Sequence, residues 1–258
     1  MKIAVRILLL IPSLYLAIAP VWYSHWHNTK VCKRIEIKIV DSADYHFVTK
    51  RDIMNTVLNR HGSLVGKTVK DINIDAIEET MSGFRELKSA EVYISIDGVL
   101  HIVADQRTPV MRVMPSNGGD YYIDDEGVVM RRRNLYTPRL HIVGGNINIS
   151  QAMLSGVSVL DTSIKNSILK DIFYLVNHIN RDGFWSAQID QIYVDMHDEI
   201  DLIPRVGNHV IHLGSPEEFQ DKLRYLRVFY DKVLPEVGWD KYSLINLAYK
   251  DQIVCRKR

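Results

Sequence analysis

The chain has 258 residues, 47% of them hydrophobic and 24% charged, and Lys+Arg 32 against Asp+Glu 31 leave a formal net charge of +1. That balance supplies no global field for phosphate and excludes a nucleic-acid binder on charge grounds, while the apolar content is ample for one or two packed domains. Two cysteines, Cys32 and Cys255, are too few for a disulfide framework and form either one bridge or a pair of free thiols.

The first stretch, Ile3 to Tyr23, is the only long apolar run in the sequence. It reads as one membrane span, because about 20 predominantly apolar residues cross a bilayer core. Trp22, Tyr23 and Trp26 form the aromatic belt expected where a span meets the interface. A cleaved signal peptide would use Lys2 and Arg6 as its basic region and Ala17-Ile18-Ala19 as its cleavage site, but Pro20 follows the would-be scissile bond and the apolar run continues beyond it. Asn28-Thr29-Lys30-Val31 lacks the small, apolar character of a lipidation box before Cys32. Nearly all of the chain follows the span, the layout of an anchor that exports its C-terminal part. His25 and His27 beside Cys32 read as an interfacial segment rather than as metal ligands.

From Arg34 the residues alternate, Ile35, Ile37 and Ile39 against Glu36, Lys38 and Val40, the period of a half-buried strand. The turn-prone Asp41-Ser42-Ala43-Asp44-Tyr45 follows. Thr49 with Asp52 forms a capping box for an amphipathic helix carrying Ile53, Val57 and Leu58 and ended by Gly62. Asp75 with Glu78 repeats the device for a second helix with the apolar face Ile74, Ile77, Met81 and Phe84. Val92, Ile94 and Ile96 then alternate, Asp97-Gly98 is a hairpin turn, and Leu100, Ile102 and Ala104 return. The order strand, helix, helix, strand, strand makes a small domain whose helices cover one face of the sheet, because each alternating strand has one apolar face to bury.

Phe84-Arg85-Glu86-Leu87-Lys88-Ser89-Ala90-Glu91-Val92 is similar to the passage where a short helix leads into a strand in a POTRA domain, the one that follows the membrane span in the FtsQ/DivIB family of bacterial division proteins. Asp105-Gln106-Arg107-Thr108-Pro109-Val110 resembles that family's exit signature Glu-Arg-x-Pro-x-Ala, with Asp in place of Glu and Met111 where Ala is usual. Tyr121-Tyr122-Ile123-Asp124 into Asp125-Glu126-Gly127-Val128-Val129 resembles its Val-Asp-x-x-Gly-x-Val hairpin. Pro138-Arg139-Leu140-His141-Ile142-Val143-Gly144 resembles its Leu-Pro-x-Leu-x-Gly segment. A helix fits Ile164 to Asn180, with Ile168, Ile172, Leu175, Val176 and Ile179 on one face, and strands fit Ile189 to Val194, Ile200 to Ile203 and Val210 to Leu213.

Ser215-Pro216-Glu217-Glu218 has Ser as N-cap, Pro at the first helical position and Glu at the third. It predicts a long helix from there to about Leu234, burying Phe219, Leu223, Leu226, Val228 or Phe229, and Val233. Ile211 through Leu223 is similar to the family's strand-Leu-Gly-helix-Lys-Leu segment. Tyr242 to Tyr249 and Ile253 to Arg256 read as two closing strands around Lys250-Asp251-Gln252, and the family's Asp-Leu-Arg-Tyr motif stands here as Asn246-Leu247-Ala248-Tyr249, keeping Leu and Tyr. The expected fold class is α+β: one N-terminal transmembrane helix within residues 1–32, a POTRA domain over 33–108, and over 109–258 a mixed β domain with two helices and C-terminal edge strands.

No catalytic constellation stands out: Gly-x-Ser-x-Gly, a phosphate loop and His-Glu-x-x-His are all absent. Asp124, Asp125 and Glu126 could serve as acid, base or cation ligands, but Gly127 follows and the run reads as turn chemistry. His209 and His212 fall on opposite faces of a strand, and Arg131-Arg132-Arg133 reads as a solvated hairpin end. The resemblance implies a non-enzymatic division scaffold without cofactors. Inserted in the inner membrane at the septum, with its N-terminus cytoplasmic and its domains periplasmic, it would bind FtsB-like and FtsL-like bitopic partners and connect them to the septal peptidoglycan synthase. The alternative is a cell-wall hydrolase or another envelope enzyme with an unrecognised site around Asp124. A terminal strand with nothing after it leaves unpaired N–H and C=O groups. The resemblance implies that a partner segment adds there, with Leu247, Tyr249, Gln252, Ile253, Val254, Cys255 and Arg256 as partner-binding residues, although Ala248 replaces the motif's Arg.

Overall fold

The computed structural model describes residues 18–19, 30–40, 46–132, 137–165 and 167–258. The expected span Ile3 to Tyr23 except Ile18 and Ala19, the residues before it, Trp26, His25, His27, the turn Asp41 to Tyr45 and Arg133 lie outside the described residues. Among the described residues no helix is long and apolar enough to cross a membrane. The chain divides into two compact units, Met1–Gln106 and Arg107–Arg258.

In the first unit β1 (Arg34–Val40), α1 (Lys50–His61), a 3-10 turn (Val69–Asp71), α2 (Ile74–Ser82), β2 (Leu87–Ile94) and β3 (Val99–Gln106) follow in the expected order. The sheet runs β1-β3-β2, with β1 parallel and β2 antiparallel to β3. A parallel pair needs a crossover, and the two helices lie within it. Ile35, Ile37 and Ile39 register with Leu100, Ile102 and Ala104. Leu100, Ile102 and Ala104 are buried together with Val92 of β2, Ile53 and Val57 of α1, and Ile77 and Met81 of α2. Ile37 and Ile94 are only half-buried because their strands form the two edges.

The Thr49 capping box is present: Thr49 Oγ1 accepts the Asp52 N–H at 3.2 Å, and Asp52 Oδ2 accepts the Thr49 N–H at 2.9 Å. Leu58, expected on the apolar face, is exposed. The second box is not formed. Asn73 caps α2 instead, its Oδ1 accepting the Ala76 N–H at 3.0 Å, because Asp75 already lies inside the helix and Glu78 reaches across to the Val92 N–H at 2.9 Å. The Asp97-Gly98 hairpin forms with Gly98 at φ 84°, where a Cβ would meet the Val31 carbonyl at 2.7 Å. Since β2 ends at Ile94, Ile96 falls in the turn, exposed rather than alternating.

The second unit contains β4 (Pro109–Pro115), β5 (Tyr121–Asp124), β6 (Val129–Arg131), β7 (His141–Gly145), α3 (Gln151–Leu154), α4 (Ile168–Arg181), α5 (Gly183–Gln188), β8 (Ile189–Val194), β9 (Ile200–Pro204), β10 (Val210–Gly214), α6 (Phe219–Lys232), α7 (Leu234–Val237), β11 (Tyr242–Asn246) and β12 (Val254–Lys257). Among the described residues its mixed sheet has nine strands in the order β12-β11-β10-β9-β8-β7-β4-β5-β6. Ile172, Val176 and Ile179 of α4 and Leu223, Leu226 and Tyr230 of α6 share one core with Val113, Val143, Ile192, Leu202, Ile211 and Ile245 of the strands. The parallel pair β10–β11 is bridged by α6 and α7, as a parallel connection requires.

Several expectations for this unit are corrected. Beside the two long helices stand the short α3, α5 and α7, which carry too few periodic positions to be legible in sequence. Helix α4 starts at Ile168 rather than Ile164, because Ser167 Oγ accepts the Leu169 N–H at 3.3 Å. Helix α6 starts at Phe219 rather than after Ser215. The Ser215 hydroxyl is taken by the Glu217 N–H at 3.2 Å in a local turn, and Glu218 adopts the left-handed conformation at φ 53° before the helix begins. The buried aromatic of α6 is Tyr230, while Val228 is exposed. The strand expected over Tyr242 to Tyr249 stops at Asn246, and the last strand is Val254–Lys257 rather than Ile253 to Arg256.

Candidate functional site: the C-terminal edge

Three chain segments build the end of the large sheet. β11 lies parallel to β10, with Val210, Ile211 and His212 opposite Leu244, Ile245 and Asn246. β12 folds back antiparallel on β11, so that Ile245 faces Cys255 and Leu244 faces Arg256. Among the described residues β12 is paired on one side only, leaving an outer row of main-chain donors and acceptors.

The connection explains why the strand stops where it does. Leu247 donates its N–H to the His212 carbonyl at 2.8 Å and its side chain is buried. Asn246 Oδ1 then accepts the Ala248 N–H at 2.8 Å, an Asx turn that bends the chain out of the sheet. Asp251 completes the loop in the left-handed region at φ 55°, and its Oδ1 accepts the Tyr225 hydroxyl of α6 at 3.3 Å. Between the N-terminal turns of α6 and this loop lies a groove of about 310 Å³, lined by Glu217, Asp221, Tyr225, Tyr249, Asp251 and Ile253 among others. Lys222 at its rim donates to the Leu213 carbonyl at 3.1 Å and the Ser215 carbonyl at 2.7 Å, and burial pulls its amine below the ordinary value.

The seven residues expected here do not all point outward. Leu247 belongs to the core, and Ile253 and Cys255 turn toward it. Tyr249 is 57% exposed and Val254 45% exposed, with Gln252 and Arg256 also open to solvent. Arg256 donates from Nε to Ser243 Oγ at 3.2 Å, which lays its side chain across β11. Burial pushes the Cys255 thiol up from its ordinary value, and both Cys255 and Cys32 are free. Tyr225 was not legible as part of this site, since its only signal is an exposed tyrosine on a helix.

The other candidates are placed elsewhere. Asp124 is fully buried, with Oδ2 2.6 Å from Arg107 Nη1 and Oδ1 accepting the Val128 and Glu126 N–H groups at 2.6 and 3.0 Å. Burial pushes its carboxyl up, and Arg107 and the two amides oppose that. Glu126 also meets Arg107, at 2.9 Å, so the carboxylate run is an anchored turn. His209 is buried, whereas His212 lies 2.7 Å from Asp201 and 3.5 Å from Glu199 on the opposite face. Arg132 is not a solvated end: with Arg112 it clasps Asp120, at 3.0 and 2.6 Å. Among the described residues no three His, Cys, Asp or Glu side chains converge as a metal site would need.

Residues 108–256 match the family described as FtsQ/DivIB, C-terminal related, and residues 30–104 match the POTRA-like domain. No curated protein matches the chain.

Proposed function

Because the chain belongs to the FtsQ/DivIB family, with a POTRA-like domain ahead of the family's C-terminal domain, and so has a role in cell division, we propose that it is a non-enzymatic scaffold of the division machinery. It is organised as a membrane-anchoring segment over 1–32, a POTRA domain over 33–108 and a partner-binding domain over 109–258. It sits in the inner membrane at the septum with its domains on the periplasmic side. It gathers bitopic partners of the FtsB and FtsL type and links them to septal peptidoglycan synthesis.

The observation that carries this reading is the one-sided pairing of β12, beside which Tyr249 stands exposed. A partner segment adds a strand along Val254 to Arg256, taking affinity from main-chain bonds, while Tyr249 and Gln252 supply side-chain contacts. Leu247, Ile253 and Cys255 hold the edge from below. A hydrolase centred on Asp124 is not favoured, since that carboxylate is spent on Arg107 and two backbone amides. The test is binding of a fragment of an FtsB-type partner to the full chain and to a variant lacking Gln252 to Arg258. Equal affinity would remove the edge from the interface.

A further inference from the structure

We propose that one end of the first unit's sheet is a lipid-docking face, which lays the POTRA-like domain against anionic headgroups of the membrane that anchors the chain. Three pieces of chain meet at this end, where β1 begins and the β2–β3 hairpin turns. The segment Lys30 to Lys33 is tied to the loop after α1: Val31 stands opposite Thr68, the Cys32 N–H donates to the Lys67 carbonyl at 2.9 Å, and the Val69 N–H donates to the Lys30 carbonyl at 2.8 Å. The same segment is tied to the hairpin, the Lys33 N–H donating to the Gly98 carbonyl at 2.8 Å and the Lys30 amine to the Ile96 carbonyl.

Two tight turns form the tips of this end. Leu64-Val65-Gly66-Lys67 is closed by the Lys67 N–H on the Leu64 carbonyl at 3.2 Å, and Ser95-Ile96-Asp97-Gly98 by the Gly98 N–H on the Ser95 carbonyl at 2.9 Å. The middle of a turn ordinarily goes to glycine, proline or a short polar residue, yet Val65 and Ile96 stand there 50% and 64% exposed, with Val31 also 43% exposed. Single exposed aliphatic side chains are ordinary. Three at one end, among Lys30, Lys33, Lys67 and Lys70, suit a membrane surface: the aliphatic groups enter the headgroup boundary while the amines reach lipid phosphates. The carboxylates at this end, Asp71 and Asp97, each accept a neighbouring hydroxyl, from Thr68 and Ser95.

Tether length selects the membrane over an acidic protein. Only Ser24 to Thr29, none of them acidic, lie between the apolar run ending at Tyr23 and Lys30, and fully extended they reach about 25 Å at most. A face held that close to the bilayer meets it at high effective concentration, so weak contacts suffice. The inference rests on the membrane-anchoring segment of the proposed function and is independent of the partner-binding edge.

The test places the full chain in nanodiscs of phosphatidylcholine alone and in nanodiscs with added phosphatidylglycerol, and follows hydrogen exchange by mass spectrometry. In the anionic discs Ser63 to Lys70 and Ser95 to Gly98 should exchange about five-fold more slowly or better, with Val254 to Lys257 unchanged, and high salt should remove the difference. Lys33→Glu with Lys67→Glu and Lys70→Glu should abolish the protection, and Val65→Ser with Ile96→Ser should reduce it, with unchanged melting of each variant showing that the fold is kept. Exchange that is the same in both discs, or protection that survives the triple charge reversal, would overturn the proposal and leave the anchor standing. A chain that does not enter the discs would remove the anchor and the proposal together. Equal protection by soluble polyglutamate in neutral discs would assign the face to an acidic protein instead.

Discussion

The hydroxyl of Tyr230 lies 2.6 Å from Nε2 of His209, and each residue is 2% exposed. The ring of Tyr230 meets those of Phe184, Trp185 and Trp239 edge-on, so helix α6 is pinned to the start of β10 by a polar bond inside an aromatic cage. Burial pushes the Tyr230 phenol up and the His209 imidazole down, each shift favouring the neutral form.

Tyr230→Phe keeps the ring but strands a buried imidazole nitrogen, and should cost about 1 to 3 kcal/mol in denaturant unfolding. The pH dependence follows from the depressed imidazole. As pH falls through about 6.5 the unfolded chain binds a proton that folded His209 refuses, so stability declines from there toward the folded value. His141, also held low by burial, acts in the same direction. Unfolding curves at a series of pH values should show that decline, and His209→Asn should flatten part of it.

Asp124→Ala should destabilise the second unit by about 3 to 5 kcal/mol, since it takes away the buried partner of Arg107, whose remaining ion pair among the described residues is with the exposed Glu126, and removes the acceptor of the buried Val128 amide and the part-buried Glu126 amide. Asp125→Ala, on the same turn but exposed, should change little. Comparable losses from both in a urea titration would mean that the ion pair does not hold the hairpin.

Asp120 accepts from Arg112 and Arg132, and the Arg112 bond, first of all, holds its carboxyl below the ordinary value. Its contribution is therefore complete above the unfolded carboxylate pKa of about 3.9 and is lost as pH falls through the lower folded value. Asp120→Asn should be less stable than the parent near neutrality, and the gap should close under acid conditions, as followed by circular dichroism.

In the first unit, Ile102→Ala should cost about 2 to 5 kcal/mol, because the side chain is fully buried in the middle strand. Ile37→Ala, on the half-buried edge strand, should cost less, and Lys38→Ala within about 0.5 kcal/mol. Equal effects in thermal melts would invert the assignment of the sheet's faces.

At the C-terminal edge, Tyr249→Ala should weaken an FtsB-type partner by more than about 1 kcal/mol while leaving the fold intact, as an exposed anchor would. Leu247→Ala should instead lower stability, its side chain being part of the core. Calorimetric titration alongside a melt separates the two, and unchanged binding by the Tyr249 variant would place the interface elsewhere.

What the sequence determined by itself is what depends on neighbours along the chain. The alternation at Ile35 to Ile39, the Thr49–Asp52 capping box and the strand limits at Ile189 to Val194 are properties of periods of two and 3.6, and of hydrogen bonds closed within a turn. The order of these parts was enough to point to the family.

Tertiary structure decided the rest, because it turns on competition between distant partners. Asp75 with Glu78 reads as the cap of α2 in sequence, but in the fold Asp75 lies inside the helix, Glu78 is drawn to Val92 on the sheet, and Asn73 caps instead. Asp124 is an anchored turn residue because Arg107, seventeen positions away, reaches it. Tyr249 leaves the strand it resembles because Asn246 spends its side chain on Ala248, turning the tyrosine out beside an edge whose outer row of backbone groups exists only once nine strands are placed in order.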